Sequence, residues 1–508
     1  MRFSLLFLLP LPAFAQPAFQ RINPEIQHEY SGGWEHFVGG GVAAFDCNGD
    51  NLAELYVAGG EASAVLLRNG SAHNLSFHED TPETLALTDV IGAYPLDIDS
   101  DGLLDLFVMR VGENMLLKGG EDCDFAPFPD NLHFGDVPAW TTAFSATWET
   151  GNDLPTLAVG NYVDRADPDG PFMACDTNYL YRPEAYDLPV ALEPGYCPLS
   201  MLFTDWGRNG RQDLRVSNDR HYYVRGGSEQ MWAMETDPRL YGEADGWRDY
   251  SIWGMGIASE DIDGDGLPEV FLSSMGDQKL QSLDGTADGP AYKDATYERG
   301  TTAHRPYVGD DGRPSTGWHV AFGDADNDGR EDVFITKGNV EQMPDAAMKD
   351  PNNLLMQRPD GTFVEFGDEA GLASLARGRG AAMLDLNLDG LLDIVVVNRR
   401  APMEIYQNVT HTDGNWLLLD VRQMGANTRA VGAWVEVRMP DRTYSREITV
   451  GGGHASGTSS YLHFGLGGAT RVEVRVIWPD GEPTEWVPID ANSIHNLTRT
   501  TNGLLIDG

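Results

Sequence analysis

The sequence predicts an all-β protein, a seven-bladed β-propeller followed by a small C-terminal β domain. Three observations lead there: an acidic nine-residue pattern that recurs along most of the chain, a nearly constant step between its copies, and a short β-prone run directly after each copy. The 58 Gly and 29 Pro among 508 residues are more turn formers than a helical bundle would carry. The predicted organisation is an export signal over 1–15, a propeller over 16–410 and the small β domain over 414–508.

The chain opens MRFSLLFLLPLPAFAQ, with one cation at Arg2, an apolar stretch from Phe3 to Leu11, and a small-x-small end at Ala13 to Ala15. This reads as a cleaved export signal, shorter than the roughly 20 apolar residues a bilayer span needs, and no later segment reaches that length. An oxidising compartment then permits three pairings of the four cysteines. Cys175 and Cys197 bracket an irregular Pro- and Tyr-rich insertion that a staple would hold, which favours that pair and leaves Cys47 with Cys123.

The repeated pattern is Asp-x-Asp/Asn-x-Asp-Gly-x-x-Asp/Glu. Its six copies begin at Asp46, Asp97, Asp205, Asp261, Asp324 and Asp385, and a seventh, eroded copy, WETGNDLPT, spans Trp148 to Thr156 in the same register. Counting that one, the steps between starts are 51, 51, 57, 56, 63 and 61 residues, so each unit is one supersecondary module. Modules of this size, rich in strands and punctuated by turns, suit four-stranded propeller blades. The last unit lacks an outer strand of its own, and AFQRI at Ala18 to Ile22 is predicted to supply it and so close the ring without an exposed sheet edge.

Alternate oxygen side chains on a tight loop, plus a backbone carbonyl, are what a hard cation requires. The predicted ligand sets are Asp46, Asn48, Asp50, Leu52 and Glu54; Asp97, Asp99, Asp101, Leu103 and Asp105; and Asp205, Asn209, Arg211 and Asp213. The remaining three are Asp261, Asp263, Asp265, Leu267 and Glu269; Asp324, Asp326, Asp328, Arg330 and Asp332; and Asp385, Asn387, Asp389, Leu391 and Asp393. In each, the position-7 residue (Leu or Arg) contributes its carbonyl. Calcium is the expected ion: neither His nor Cys is systematic as zinc would demand, and magnesium wants a stricter octahedron. The third loop, with Gly207 at position 3, is expected to bind weakly and the eroded copy not at all. An EF-hand would place a bidentate Glu at position 12, where these copies have Val57, Val108, Val216, Leu272, Ile335 and Val396. The loops therefore belong between strands.

Two insertions carry aromatic residues that could recognise a partner. One contains Tyr162, Tyr179, Tyr181, Tyr186 and Tyr196; the other contains Arg220, His221, Tyr222, Tyr223, Arg225, Trp232, Trp247 and Trp253. The alternative is that they pack these loops onto the propeller. In the tail, Val472, Val474 and Val476 alternate with Glu473 and Arg475, and Val435 and Val437 with Glu436 and Arg438, as half-buried strands do. Gly451 to Gly453 reads as a turn between strands, because no helix or Lys follows to make a phosphate loop. His454 and His463 lie beside Ser456, Ser459 and Ser460, but without a strand-elbow-helix context they are not assigned catalysis.

These motifs resemble known families. The repeat is similar to the FG-GAP or VCBS calcium-binding repeat of integrin-type β-propellers over roughly residues 16 to 410. NWLLLDV at Asn415, NTRAVGAWVEVRM at Asn427, GGGHASGTSSYLHFGLG at Gly451 and VEVRVIWPDG at Val472 resemble the ASPIC and UnbV domain. The combination resembles the secreted cartilage-acidic-protein-like family, and implies a calcium-bearing extracellular or envelope protein.

With 78 acidic against 35 basic residues the net charge is −43, which repels nucleic-acid backbones and anionic membrane surfaces. The favoured reading is a non-catalytic, secreted or periplasmic binding or adhesion module for a protein or glycan partner. Alternatives are a polysaccharide lyase or hydrolase with its site in the propeller funnel, or an envelope assembly factor.

Overall fold

The computed structural model describes residues 16–22, 26–128, 132, 134–135, 137–167, 174–219, 226–276, 278–285, 288–302, 313–501 and 503–508; the predicted export signal lies outside them. Among these residues strands dominate, and no helix is long and apolar enough to cross a membrane.

Among the described residues the repeats fold as seven four-stranded antiparallel units, two of them joined where Ala139 and Trp140 pair with Gly112 and Val111. Each nine-residue pattern connects the first strand of its unit to the second: Asp97 to Asp105, for example, lies between Val90–Leu96 and Asp105–Gly112. The position-12 residues Val57, Val108, Val216, Leu272, Ile335 and Val396 all sit buried in those second strands. This is why they are apolar where an EF-hand would have a ligand. The first strands face inward and neighbour one another in sequence order, from Val42–Phe45 through Gly378–Leu384 and back to the start. The predicted closing strand is present: Phe19–Arg21 pairs with Glu404–Asn408, with Phe19 opposite Asn408, and completes the last unit. Apolar clusters fill the spaces between neighbouring units.

Both favoured disulfides are formed, Cys47 with Cys123 and Cys175 with Cys197. The first ties the loop of one unit to the outer turn of the next, and the second spans the 22-residue separation across the Tyr-rich insertion.

The tail builds two further four-stranded sheets around their own apolar core, which includes Leu417, Val435, Phe464, Val474 and Trp478. One sheet contains a parallel pair, Asn415–Gln423 with Ser493–Thr500. Between these sheets the chain leaves the domain and enters the propeller axis. Val450, Gly451, Gly453 and Ser456 make bridges to Ala146, Leu202, Ile257 and Ala93 on four different inner strands, and Thr458–Ser459 runs parallel to Ala44 and Phe45 on a fifth. The Gly451–Gly453 run is therefore an axial plug and not a simple turn between strands. Glycines on the inner strands make room for it: a methyl group on Gly41 or Gly92 would overlap the carbonyl oxygen of Ala455.

Midway along the plug lies His454, which is fully buried. Its Nε2 accepts the Gly39 N–H at 3.1 Å, its Nδ1 faces the Met255 carbonyl at 3.2 Å, and its own N–H reaches His319 Nδ1 at 3.1 Å. Trp318 lies against the His454 ring, with Arg379 stacked 4.0 Å above the indole. Burial holds His454 down to about 3 and His319 to about 4, and the backbone N–H groups donated to them require neutral imidazoles. Around His454 the axis is occupied by the chain's own residues.

Candidate metal loops and the face above them

Each loop is wound the same way. The position-1 carboxylate accepts backbone N–H groups from the loop it opens: Asp97 from Asp101 and Gly102 at 3.1 and 2.9 Å, Asp324 from Asp328 and Gly329 at 3.1 and 2.7 Å, and Asp385 from Asp389 and Gly390 at 3.1 and 2.7 Å. Two left-handed residues make this possible. Position 6 is Gly102, Gly210, Gly266, Gly329 or Gly390, with Asn51 replacing glycine in the first loop. Position 4 is left-handed too, at Gly49, Ser100, Arg208, Gly264, Asn327 and Leu388, a requirement the consensus does not display because four of the six are not glycine.

Position 9 braces the loop to its sheet. Asp105 accepts from Ile98 N–H at 2.7 Å and from Gly119 N–H at 2.8 Å; Asp332 accepts from Ala325 and Gln357 at 3.1 and 2.8 Å; Asp393 accepts from Leu386 and Asn408 at 3.0 and 2.8 Å. Position 5 takes the position-7 N–H, as in Leu103 to Asp101 at 2.9 Å, Leu52 to Asp50 at 2.9 Å and Leu267 to Asp265 at 2.8 Å.

Three loops bring carboxylate oxygens within 4.8 Å of one another: Asp97, Asp99 and Asp101; Asp261, Asp263 and Asp265; and Asp324, Asp326 and Asp332. The fifth copy is the most enclosed. Asp324, Asp326 and Asp332 are all buried, and neither carboxylate oxygen of Asp326 has a hydrogen-bond partner. Burial, then repulsion among these acids, holds Asp324 and Asp332 well above the usual carboxylate range, and pushes Asp326 up to about 7. An uncompensated buried carboxylate costs several kcal/mol by solvation arguments, so this donor set fits a hard cation. Elsewhere desolvation lifts Asp105, Asp261 and Asp385 to about 7 and Glu269 to about 8. Protein cations reach some of these oxygens: Lys118 bridges Asp99 and Asp101, Arg299 meets Asp263 at 2.6 Å, and Arg330 pairs with Asp328. The first and sixth loops have an amide at position 3, Asn48 donating to Asp50 Oδ2 at 3.0 Å and Asn387 to Asp389 Oδ2 at 2.9 Å.

The third set is arranged differently. Asp213 accepts from Arg211 Nε at 3.0 Å, from Trp206 Nε1 at 2.8 Å and from Tyr241 OH at 2.8 Å. A guanidinium already supplies positive charge there and Gly207 offers no side-chain ligand, which is the arrangement of Asp205, Asn209, Arg211 and Asp213 in the loop expected to bind weakly. In the aromatic insertions the packing alternative holds for most of the described residues. Tyr162, Tyr181, Tyr186, Trp232 and Trp247 are buried and hold their loops onto the sheets, whereas Tyr179, Tyr196 and Trp253 are partly buried. Arg220, His221, Tyr222, Tyr223 and Arg225 lie outside the described residues.

The C-terminal domain sits on the loop face and touches all six patterned loops. Tyr461 OH donates to Asn51 at 3.2 Å, Asn427 N–H to Ser100 Oγ at 3.1 Å, Arg208 to Glu436 at 2.6 Å, Arg442 to the Gly329 carbonyl at 2.9 Å and His463 Nε2 to the Gly390 carbonyl at 3.0 Å. Around the fourth loop, Arg446 joins Glu260 to Glu331 at 3.0 and 2.9 Å.

The fold and loops define a β-propeller with a small C-terminal β domain. The FG-GAP-like repeat matches residues 46–108 and ASPIC and UnbV matches residues 423–503. The chain is similar to Cartilage acidic protein 1 of Mus musculus, 22% identical over 94% of this chain and 76% of that protein. It is also similar to Cartilage acidic protein 1 of Homo sapiens, 22% identical over 87% of this chain and 69% of that protein. Among solved structures, BBS1N in complex with ARL6DN matches with a TM-score of 0.45 and 9% identity, over 77% of this chain and 97% of that one. A Trichoderma reesei protein of Carbohydrate-Active Enzymes Family AA12 matches with a TM-score of 0.36 and 12% identity, over 78% of this chain and 100% of that one.

Proposed function

We propose that this protein is an exported, calcium-rigidified binding module with no catalytic centre in its propeller axis, presenting its rim and C-terminal domain to a protein or glycan partner. The observation that carries the metal reading is the buried cage of Asp324, Asp326 and Asp332, in which both oxygens of Asp326 are unpartnered. Five loops, those beginning at Asp46, Asp97, Asp261, Asp324 and Asp385, are the proposed calcium sites. Oxygen donors alone suit calcium, and the ion's charge offsets the acids that crowd each loop. Because the C-terminal domain rests on these same loops, calcium would fix the seat of that domain and of its plug.

The filled axis supports a non-catalytic reading over a polymer-cleaving enzyme, since His454 and His319 are spent on backbone hydrogen bonds away from solvent. Two disulfides and the acidic surface are consistent with life outside the cytoplasm, as is the similarity to cartilage acidic proteins. Equilibrium dialysis with calcium tests the reading. About five ions per chain are expected, with none lost in Asp213→Asn. A chain that binds no calcium at millimolar concentration refutes it.

A further inference from the structure

The two repeats that depart from the oxygen pattern are adjacent, and the loss is not random in space. The eroded loop Trp148 to Thr156 and the third loop Asp205 to Asp213 face each other across a cleft of about 980 Å³, closed on its far side by the Trp478 to Gly481 turn of the C-terminal domain. That volume lies in the range of small-ligand sites, roughly 300–1,000 Å³. Where the other loops present clustered carboxylates, these present an indole, guanidinium groups and amides.

We propose that this cleft binds an uncharged oligosaccharide. Trp148 is partly exposed at one wall, giving a flat apolar surface for the C–H face of a sugar ring. The polar groups around it come as neutralised pairs. Arg182 Nε donates to Glu149 at 2.8 Å, Arg211 to Asp213 at 3.0 Å and Arg208 to Glu436 at 2.6 Å. The exposed Arg211 guanidinium offers a donor edge, the partly exposed carboxylates of Glu149 and Asp480 offer acceptor edges, and a sugar hydroxyl both donates and accepts. The Arg211 side chain keeps 45% of its surface exposed and that of Asp480, across the cleft, keeps 51%.

Charge selects among glycans. Each guanidinium in the cleft has a carboxylate partner, Glu436 being shared by Arg208 and Arg475; Glu235 and Asp480 are in turn paired with Arg239 and Arg499, and Asp205 adds one further acid to the lining. A sulfated or uronic-acid polymer therefore gains no net attraction from the lining and meets the −43 of the whole chain. A neutral ring is not repelled by that charge. This inference names the partner class left open by the binding-module reading and rests on that reading, but not on its calcium component.

The test is an array of neutral, uronic and sulfated oligosaccharides probed with the full chain in millimolar calcium, followed by titration calorimetry with the strongest neutral ligand. Two variants accompany it: Trp148→Ala removes the platform, and Thr236→Trp fills the cleft from an exposed rim position. The expected result is binding of neutral hexose or N-acetylhexosamine oligomers, weakened at least tenfold in Trp148→Ala and abolished in Thr236→Trp, with the Thr236→Trp melting temperature unchanged. Should Trp148→Ala unfold, Thr236→Trp decides alone. Binding of only charged glycans, no glycan binding, capture of a protein through this cleft in its place, or neutral-glycan binding that survives Thr236→Trp would each overturn the proposal. Sugar binding without calcium uptake would sink the metal reading and leave this one standing, and calcium uptake without sugar binding would do the reverse.

Discussion

Withdrawing calcium is the perturbation with the most legible consequence. Extracellular calcium modules have dissociation constants of about 10⁻⁴–10⁻³ M. At about 2 mM ion, mass action then contributes about 0.6–1.8 kcal/mol per loop, or about 3–9 kcal/mol for five independent loops. For a cooperative unit of this length roughly 1 kcal/mol moves the melting temperature by about 1 °C, so excess chelator should lower it by about 3–9 °C. Acidity modulates the effect with a definite sign. In the metal-free protein Asp105, Asp261, Asp385 and Glu269 are held at about 7 to 8, above their unfolded values near 4. A raised folded value stabilises at low pH and is lost as pH rises through it, so the metal-free fold should weaken from pH 5 to pH 8. Calcium binds the deprotonated loops, so the melting difference between calcium and chelator should widen over the same interval. Differential scanning calorimetry in calcium and in chelator at pH 6 and pH 8 measures both. A difference below about 1 °C at pH 8, or one that shrinks with rising pH, refutes the reasoning.

Three further outcomes are expected. Asp326→Asn removes an orphaned charge, so it should raise the melting temperature in chelator while reducing the calcium-induced shift; equal losses in both conditions would show that Asp326 acts in packing and not as a ligand. Gly41→Ala should cost about 1–3 kcal/mol, the usual penalty of overpacking, because the new methyl group collides with Ala455, and limited proteolysis should then cut within residues 448–460; an uncut, wild-type-stable variant would mean the plug is not seated in the axis. His454→Gln tests the buried imidazole through pH: its folded value near 3 lies below an unfolded value near 6.5, so the stability it contributes is lost as pH falls below about 6.5. The wild type should lose about 1.4 kcal/mol per pH unit more than the variant between pH 6 and pH 4 by urea unfolding, and parallel slopes would exclude that role.

How far the site was legible from sequence differs by position. Positions 1, 3, 5 and 9 of each loop show themselves because oxygen chemistry needs particular residue types at a fixed spacing, and the structure winds all six copies alike. Position 4 stays silent: its left-handed backbone is tolerated by Ser100, Asn327 or Leu388, so no residue type marks it. The departure of the third loop was half visible in Gly207, but that Arg211 folds back onto Asp213 is a rotamer choice made beside the surrounding Trp206 and Tyr241. The aromatic insertions left two readings open because hot-spot and core residues share one composition; only burial separates Tyr162 from a binding tyrosine.

The sequence by itself determined the repeat, the strand-loop-strand context of every copy, the closing strand at Phe19–Arg21 and the half-buried tail strands, because each is encoded by local spacing and alternation. Only the tertiary structure decided that residues 450–459 leave their own domain to fill the axis, that the C-terminal domain covers the loop face, and that the two eroded repeats share one cleft. Such contacts join positions hundreds of residues apart, as Ala44 meets Thr458, and a glycine that clears space for a distant carbonyl looks in sequence like any other glycine.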